Sequence, residues 1–379
     1  MAKRISLLVA VFAVAATSLA FGSGRDETLS WQLKPTPTDS TARFRGLSVV
    51  SERTVWVSGW QGTEAALAGM VLRTTNRGAS WQSVGPPGAT GLQFRDIHAF
   101  NRNTAVIMSI GNTPDAFRMY RTENGGQTWQ LTFQNTEPTA FYDCMTFFDR
   151  RHGLALSDPI NGRFRILGTS DGGRSWQIVN AEMPPALPGE FAFAASGQCL
   201  ISSGDILGRG RDDDDDDDDG DRGKRLAWFA TGGATTARVF RSSDGGRSWK
   251  VFNTPVRSNA AAGIFALAFR DEKNGIAVGG DLATPADSPD SLALTRDSGK
   301  TWGLVDADDA INEYRSSVHW RDNRSAIAVG PTGSDATFDR GRTWHAFDEG
   351  SFDTVECTDD DNCWASGEQG RVARLLTDD

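Results

Sequence analysis

Short apolar runs of strand length recur along this chain, each broken by a cluster of glycine, aspartate, asparagine, serine or threonine. Val55-Trp56-Val57-Ser58-Gly59, Ala105-Val106-Ile107-Met108 and Ala326-Ile327-Ala328-Val329-Gly330 have the β-branched and small residues of buried strands. Each follows a strand led by an aromatic residue: Phe44-Arg45-Gly46-Leu47-Ser48-Val49, Phe94-Arg95-Asp96-Ile97 and Tyr314-Arg315-Ser316-Ser317-Val318. The pattern predicts an all-β chain of antiparallel strands joined by tight turns.

One turn repeats six times: Ser/Thr, any residue, Asp/Asn, any, Gly, any, Ser/Thr, Trp. It occupies residues 74–81, 122–129, 169–176, 242–249, 295–302 and 337–344. Asn76, Asn124, Asp171, Asp244, Asp297 and Asp339 hold its third position, where a short polar side chain accepts bonds from backbone N–H groups just ahead. Glycine takes the left-handed position, and tryptophan opens the next strand. These carboxylates are therefore structural, committed to their own turns. Three strands before each turn and one after it make a four-stranded antiparallel unit, A to D, with the repeated turn joining C to D: one propeller blade.

The ends set the blade count. Residues 352–376 supply strands A, B and C of a further unit, with no turn of this type after them. Leu29-Ser30-Trp31-Gln32-Leu33 matches a lone D strand, like Ser80-Trp81-Gln82-Ser83-Val84. Joining the two closes a seven-bladed β-propeller whose last blade is completed by the N-terminal strand; a six-bladed ring is the alternative. The spacing of the turns widens between Trp176 and Trp249, and the excess is assigned to a disordered acidic insertion at 205–225. Its Asp215, Asp217, Asp219 and Gly220 fit the opening of a calcium loop, but Leu226 cannot close one.

Composition adds location and excludes some partners. Lys3 and Arg4, an apolar run over residues 5–16 and Ser18-Leu19-Ala20 form a secretory signal over residues 1–20, leaving 21–379 as one exported propeller domain, periplasmic or secreted. No later stretch is long and apolar enough to span a bilayer. The net charge is −10, and residues 212–219 alone carry eight aspartates, so a broad basic face for nucleic acid is not expected. Cys357 and Cys363 flank a polar turn and are expected to bridge; Cys144 and Cys199 lie in apolar strands and are expected to be buried thiols. Four scattered histidines and no CxxC spacing give no metal site, and no cofactor motif is present.

The six turns resemble the Asp boxes, or BNR repeats, of the sialidase-like propellers. The fuller unit, with its aromatic-Arg strand and Gly-rich strand, is similar to the photosystem II stability/assembly factor family and its bacterial relatives. That resemblance spans the mature chain and implies a non-enzymatic propeller in the lumen or periplasm that binds a membrane-protein partner during assembly; a monomer is expected. The sialidases are similar in the Asp boxes only. Phe164-Arg165-Ile166-Leu167 resembles their Phe-Arg-Ile-Pro motif but lies in the strand leading into a turn. A sialidase-like hydrolase or a carbohydrate-binding propeller, with Trp60 as its exposed aromatic, is the alternative.

The connections from D to A and from B to C share the face opposite the repeated turns. Aligning the units puts Arg45, Arg95 and Arg315 at the start of strand A in blades one, two and six, and Asp158, Asp205 and Asp281 at the end of strand B in blades three, four and five. The expectation is a channel mouth with a basic arc and an acidic arc, suited to the carboxylate or charged tail of a protein partner.

Overall fold

The computed structural model describes residues 28–63, 66–206, 224–358 and 362–378. Its strands form seven four-stranded antiparallel sheets, each in simple sequence order except the one that contains both ends of the chain. Blade one is Arg43–Val49, Val55–Gln61, Ala68–Thr74 and Gln82–Ser83, from the innermost strand A to the outermost strand D. Blades two to six repeat this plan. Blade seven takes Thr354–Cys357, Cys363–Ser366 and Val372–Asp378 from the C-terminal end and Thr28–Leu33 from the other. The register runs from Thr28 opposite Asp378 to Leu33 opposite Ala373. The fold is the seven-bladed propeller, closed by the N-terminal strand. The expected signal segment and the aspartate run at 212–219 lie outside the described residues.

The core is divided. Each interface between neighbouring blades has its own apolar layer, because each sheet buries both faces. Phe44, Leu47, Val57 and Trp81 of blade one meet Trp364 and Val372 of blade seven, and Val106, Met108 and Met119 of blade two meet Tyr142, Phe147 and Trp176 of blade three. Trp81 sits edge-on to Trp364 at 6.1 Å, and Trp129 edge-on to Trp56 at 6.4 Å, so some of the repeated tryptophans reach across to the preceding blade. No blade could hide its apolar faces alone, which ties stability to the closed ring.

The repeated turns are locally self-sufficient. Asn76 Oδ1 accepts from Ser80 N at 3.0 Å and Thr74 Oγ1 from Gly78 N at 3.0 Å. The same pair of bonds recurs at Asp244, from Ser248 N at 2.9 Å, with Ser242 accepting from Gly246 N at 2.9 Å. Two successive residues are left-handed here, Arg77 and Gly78 at φ 61° and 74° and Gly245 and Gly246 at 72° and 86°, which is why glycine recurs in the pattern. Burial works against ionisation of Asp171, Asp244, Asp297 and Asp339, but the hydrogen bonds of the turn outweigh it and hold all four carboxyls below their ordinary value.

Both cysteine pairs are disulfides. Cys357 and Cys363 face each other in register across strands A and B of blade seven, with Cα atoms 4.0 Å apart. Cys144 and Cys199 are bonded too, with Cα atoms 6.0 Å apart, and are not the buried thiols expected. Their strands are adjacent inner strands of blades three and four, a proximity that only the ring creates.

Candidate functional site

The face opposite the repeated turns is shaped by β-bulges in strand A. The register slips between Phe44 and Gly46, between Phe94 and Asp96, between Tyr142 and Cys144, and between Ile264 and Ala266. The extra residue in these blades is Arg45, Arg95, Asp143 and Phe265. A bulge re-aims a side chain that regular pleating would send into a blade interface. Here it gathers residues from blades one, two, three and five at the channel mouth.

What they gather around is a plug. The connection from blade three (outer strand Gln177–Val179) to blade four (inner strand Leu200–Ser202) does not stay on the rim. Residues 191–198 dip into the channel and bond to most of the ring. Ser196 Oγ donates to Ser316 O at 2.8 Å, and Gln198 Oε1 accepts from Ser317 Oγ at 2.7 Å and Val318 N at 3.0 Å, all in blade six. Gln198 Nε2 donates to Val355 O of blade seven at 3.0 Å, and its carbonyl accepts from Leu267 N of blade five at 3.1 Å. Phe193 stacks on Phe265 at 3.7 Å. The wide spacing between Trp176 and Trp249 is thus shared between this plug and the insertion, rather than owed to the insertion alone.

Arg45 and Arg95 meet on the plug. One Nη of each donates to the same acceptor, Ala194 O, at 3.2 and 3.0 Å. Both guanidinium carbons lie over the Trp60 ring, 5.7 and 5.1 Å from its centroid. Arg95 Nε donates to Gln93 Oε1 at 3.0 Å, whereas Arg45 Nε is buried without a hydrogen bond, 3.9 Å from Asp353, which Arg43 already holds in a bidentate grip. Burial pulls both arginines below their ordinary value. For Arg95, with Arg45 and Arg43 adding repulsion, the result is about 9. The two half-buried cations thus share one carbonyl, and the Arg45 Nε–H is left without an acceptor.

Arg315 does not join them. Its guanidinium turns back into blade six, donating to Asp335 and Thr332 at 2.6 and 2.7 Å, and it is 3% exposed. The expected acidic arc also divides. Asp205 does not end a second strand: it follows strand A of blade four in a short 3₁₀ turn, accepts from Ser202 N and Thr146 Oγ1, and faces the opposite end of the channel. Asp281 does end strand B of blade five, but Asn259 and Ala283 N occupy it, and these bonds, Asn259's first, hold its carboxyl low. Of the three, Asp158 bonds to the plug, accepting from Ala192 N at its foot at 2.9 Å.

Its neighbour in the site is a residue the sequence did not single out. Asp143, the bulged residue of blade three, is 1% exposed, and neither carboxyl oxygen has a hydrogen bond. Burial raises it well above its ordinary value, Asp158 raises it further, and Arg95 opposes both; burial raises Asp158 to about 7. Two carboxyls raised in the folded state bind protons that the unfolded chain has released. Their contribution is therefore full below the ordinary carboxylate value and is lost as pH climbs to about 7. Asp158→Asn removes the like charge and sets an amide donor beside Asp143. It is expected to shrink the loss of thermal stability between pH 5 and pH 8 by on the order of 1–3 kcal/mol. Melting curves at the two pH values test this, and an unchanged pH slope would show that the pair carries no shared proton.

No family model matches the sequence, and no curated protein does. Solved structures match it. A YCF48 structure bound to D1 peptide superposes with a TM-score of 0.61 at 15% identity, over 92% of this chain and 95% of that one. YCF48 from Cyanidioschyzon merolae gives 0.59 at 14%, over 91% and 98%. The WD40 β-propeller domain of Doa1 gives 0.53 at 9%, over 92% and 97%. At these identities the likeness is one of fold: this chain is built like the YCF48 propeller.

Proposed function

We propose that this is an exported, non-catalytic propeller that binds a protein partner, in the manner of a membrane-protein assembly or stability factor. The partner would be held by an acidic or carboxylate-bearing segment at the channel mouth. The observation that carries this reading is the Arg45–Arg95 pair: two half-buried guanidiniums on one carbonyl, with the flat Trp60 ring beside them. A carboxylate arriving there would satisfy the donors that Ala194 leaves free, while a backbone or aliphatic stem lies along the indole. The YCF48 structure with a D1 peptide shows that a propeller of this build takes a peptide, and the sequence resemblance to the photosystem II stability/assembly factor family points the same way.

The test is affinity capture from native membranes with the tagged mature protein, beside Arg45→Glu/Arg95→Glu and Arg315→Glu variants. The wild type is expected to retain one membrane protein and the Arg45/Arg95 variant to lose at least tenfold of it. Arg315→Glu breaks a buried ion pair and reports instead on stability, so it is compared only where its melting curve shows it folded. Capture undiminished in a folded Arg45/Arg95 variant would overturn the assignment of the site.

A further inference from the structure

Below the plug the channel continues as a blind cup of about 360 Å³, opening on the face that carries the repeated turns. Strands A of several blades line it. Leu47, Ile97, Met145, Ile201, Leu267 and Trp320 give apolar walls from blades one to six. Ser196, Gly197 and Gln198 close it from above, fixed by the bonds of the plug to blades five, six and seven. The volume falls in the range of small-molecule pockets, and an apolar wall with a few placed polar groups is their usual lining.

The acidic groups of the lining have no Lys or Arg counterpart within it: Asp96, Asp205 and Glu356 line the cup, with His98 and His319. Asp96 lies deepest, under Gly197, where any added side-chain carbon would sit 2.6 Å from its Oδ1. Its two oxygens accept from Ile97 N at 2.8 Å and Met145 N at 2.7 Å. Each retains acceptor capacity toward the cup. Among the described residues no three His, Cys, Asp or Glu side chains converge closely enough to hold a metal ion. The carboxyls are spread around an apolar space rather than gathered on a point, an arrangement that suits an ammonium carried on an apolar body and not a bare ion.

We propose that the cup is a second binding site, independent of the channel mouth, for a small organic amine, whose ammonium is held at the Asp96 end while its apolar body packs on the wall formed by Leu47, Ile97 and Trp320. Asp96 is pushed up to about 7, by burial first and then by Asp205 and Glu356, and a cation beside it offsets that cost of ionisation.

The experiment is isothermal titration of the full chain at pH 8 with phenethylamine, cyclohexylmethylamine and tyramine, and with 2-phenylethanol as a neutral match in shape. Saturable binding at one site by at least one amine is expected, with the alcohol at least tenfold weaker. Asp96→Asn is expected to lower amine affinity at least tenfold. Leu47→Trp, which fills the cup and leaves every carboxyl in place, is expected to abolish binding. The wild-type comparison of amine with alcohol stands whether or not either variant folds. No saturable binding by any of the amines, equal binding of the alcohol, or wild-type affinity in a folded Leu47→Trp protein would overturn the proposal. The capture experiment at the mouth is unaffected by any of these results.

Discussion

Glu190→Ala, just before the plug, is expected to cost the fold about 3–5 kcal/mol. Glu190 has no exposed side-chain surface, and its partner Arg238 is 8% exposed. The carboxylate takes both arms of the guanidinium, Nε at 2.8 Å and an Nη, and also accepts from Thr231 Oγ1 at 2.6 Å and Leu187 N at 2.7 Å. Removing the carboxylate leaves a buried cation with only the Pro185 carbonyl, at 3.0 Å, and the Phe240 ring beside it, neither of which carries a compensating charge. Removing both is different in kind: Glu190→Leu with Arg238→Met is expected to recover most of the loss, since apolar groups of similar volume need no partner. Denaturant midpoints for the single and double variants check this. A single-variant cost below about 1 kcal/mol would mean that water reaches the guanidinium once the carboxylate is gone. Glu190 stands just before the plug, so its loss is also expected to loosen the Ala194 carbonyl on which Arg45 and Arg95 meet.

Removing the Cys144–Cys199 bond by paired alanine substitution is the second large effect. The two cysteines are 55 residues apart, and opening a loop of that length frees unfolded-chain entropy worth roughly 4 kcal/mol. The Cys357–Cys363 bond, with a separation of 6, is expected to contribute roughly 2 kcal/mol. The difference between the two alanine pairs is the informative quantity, because both bonds are buried and join inner strands or neighbours of inner strands. Thermal denaturation of the two variants side by side measures it. Equal losses would mean that native packing around the bonds, and not loop closure, sets their contribution. Cys199 follows Gln198 directly, so the longer bond also fixes the lower end of the plug to blade three.

The elements that could be read from the sequence are those whose chemistry is local. Thr74, Asn76, Gly78 and Ser80 make their turn with one another, and six copies of that turn fix the number of repeats. Joining Leu29–Leu33 to the C-terminal strands followed from counting them. What could not be read depended on partners distant in sequence. Arg45 and Arg315 occupy the same place in their repeats, yet only Arg315 is neutralised within its own blade. Two residues before its repeated turn blade six has Asp335, where blade one has Leu72 and blade two Tyr120. Comparing the third strands would have separated them. Asp205 was misplaced because Leu200–Ser202, followed by Ser-Gly-Asp, reads as the second strand of blade four and is its first; the second is Ala227–Ala230. The plug had no signature at all: Phe191-Ala192-Phe193-Ala194-Ala195-Ser196-Gly197 reads as one more apolar strand, and it is the bonds to blades five, six and seven that make it a stopper.

The pairing of Thr28–Leu33 with Val372–Asp378 sets an order of events. Blades one to six are made from contiguous chain, so each can form as soon as its own residues are available, through contacts of short sequence separation. The seventh joins the first described strand to the last and waits for the whole chain. Until then blades six and one each present a bare apolar face, and the molecule is an open arc with two sticky ends. The ring has a single seam, and its closing, the contact of longest sequence separation, is expected to be the slow step of folding.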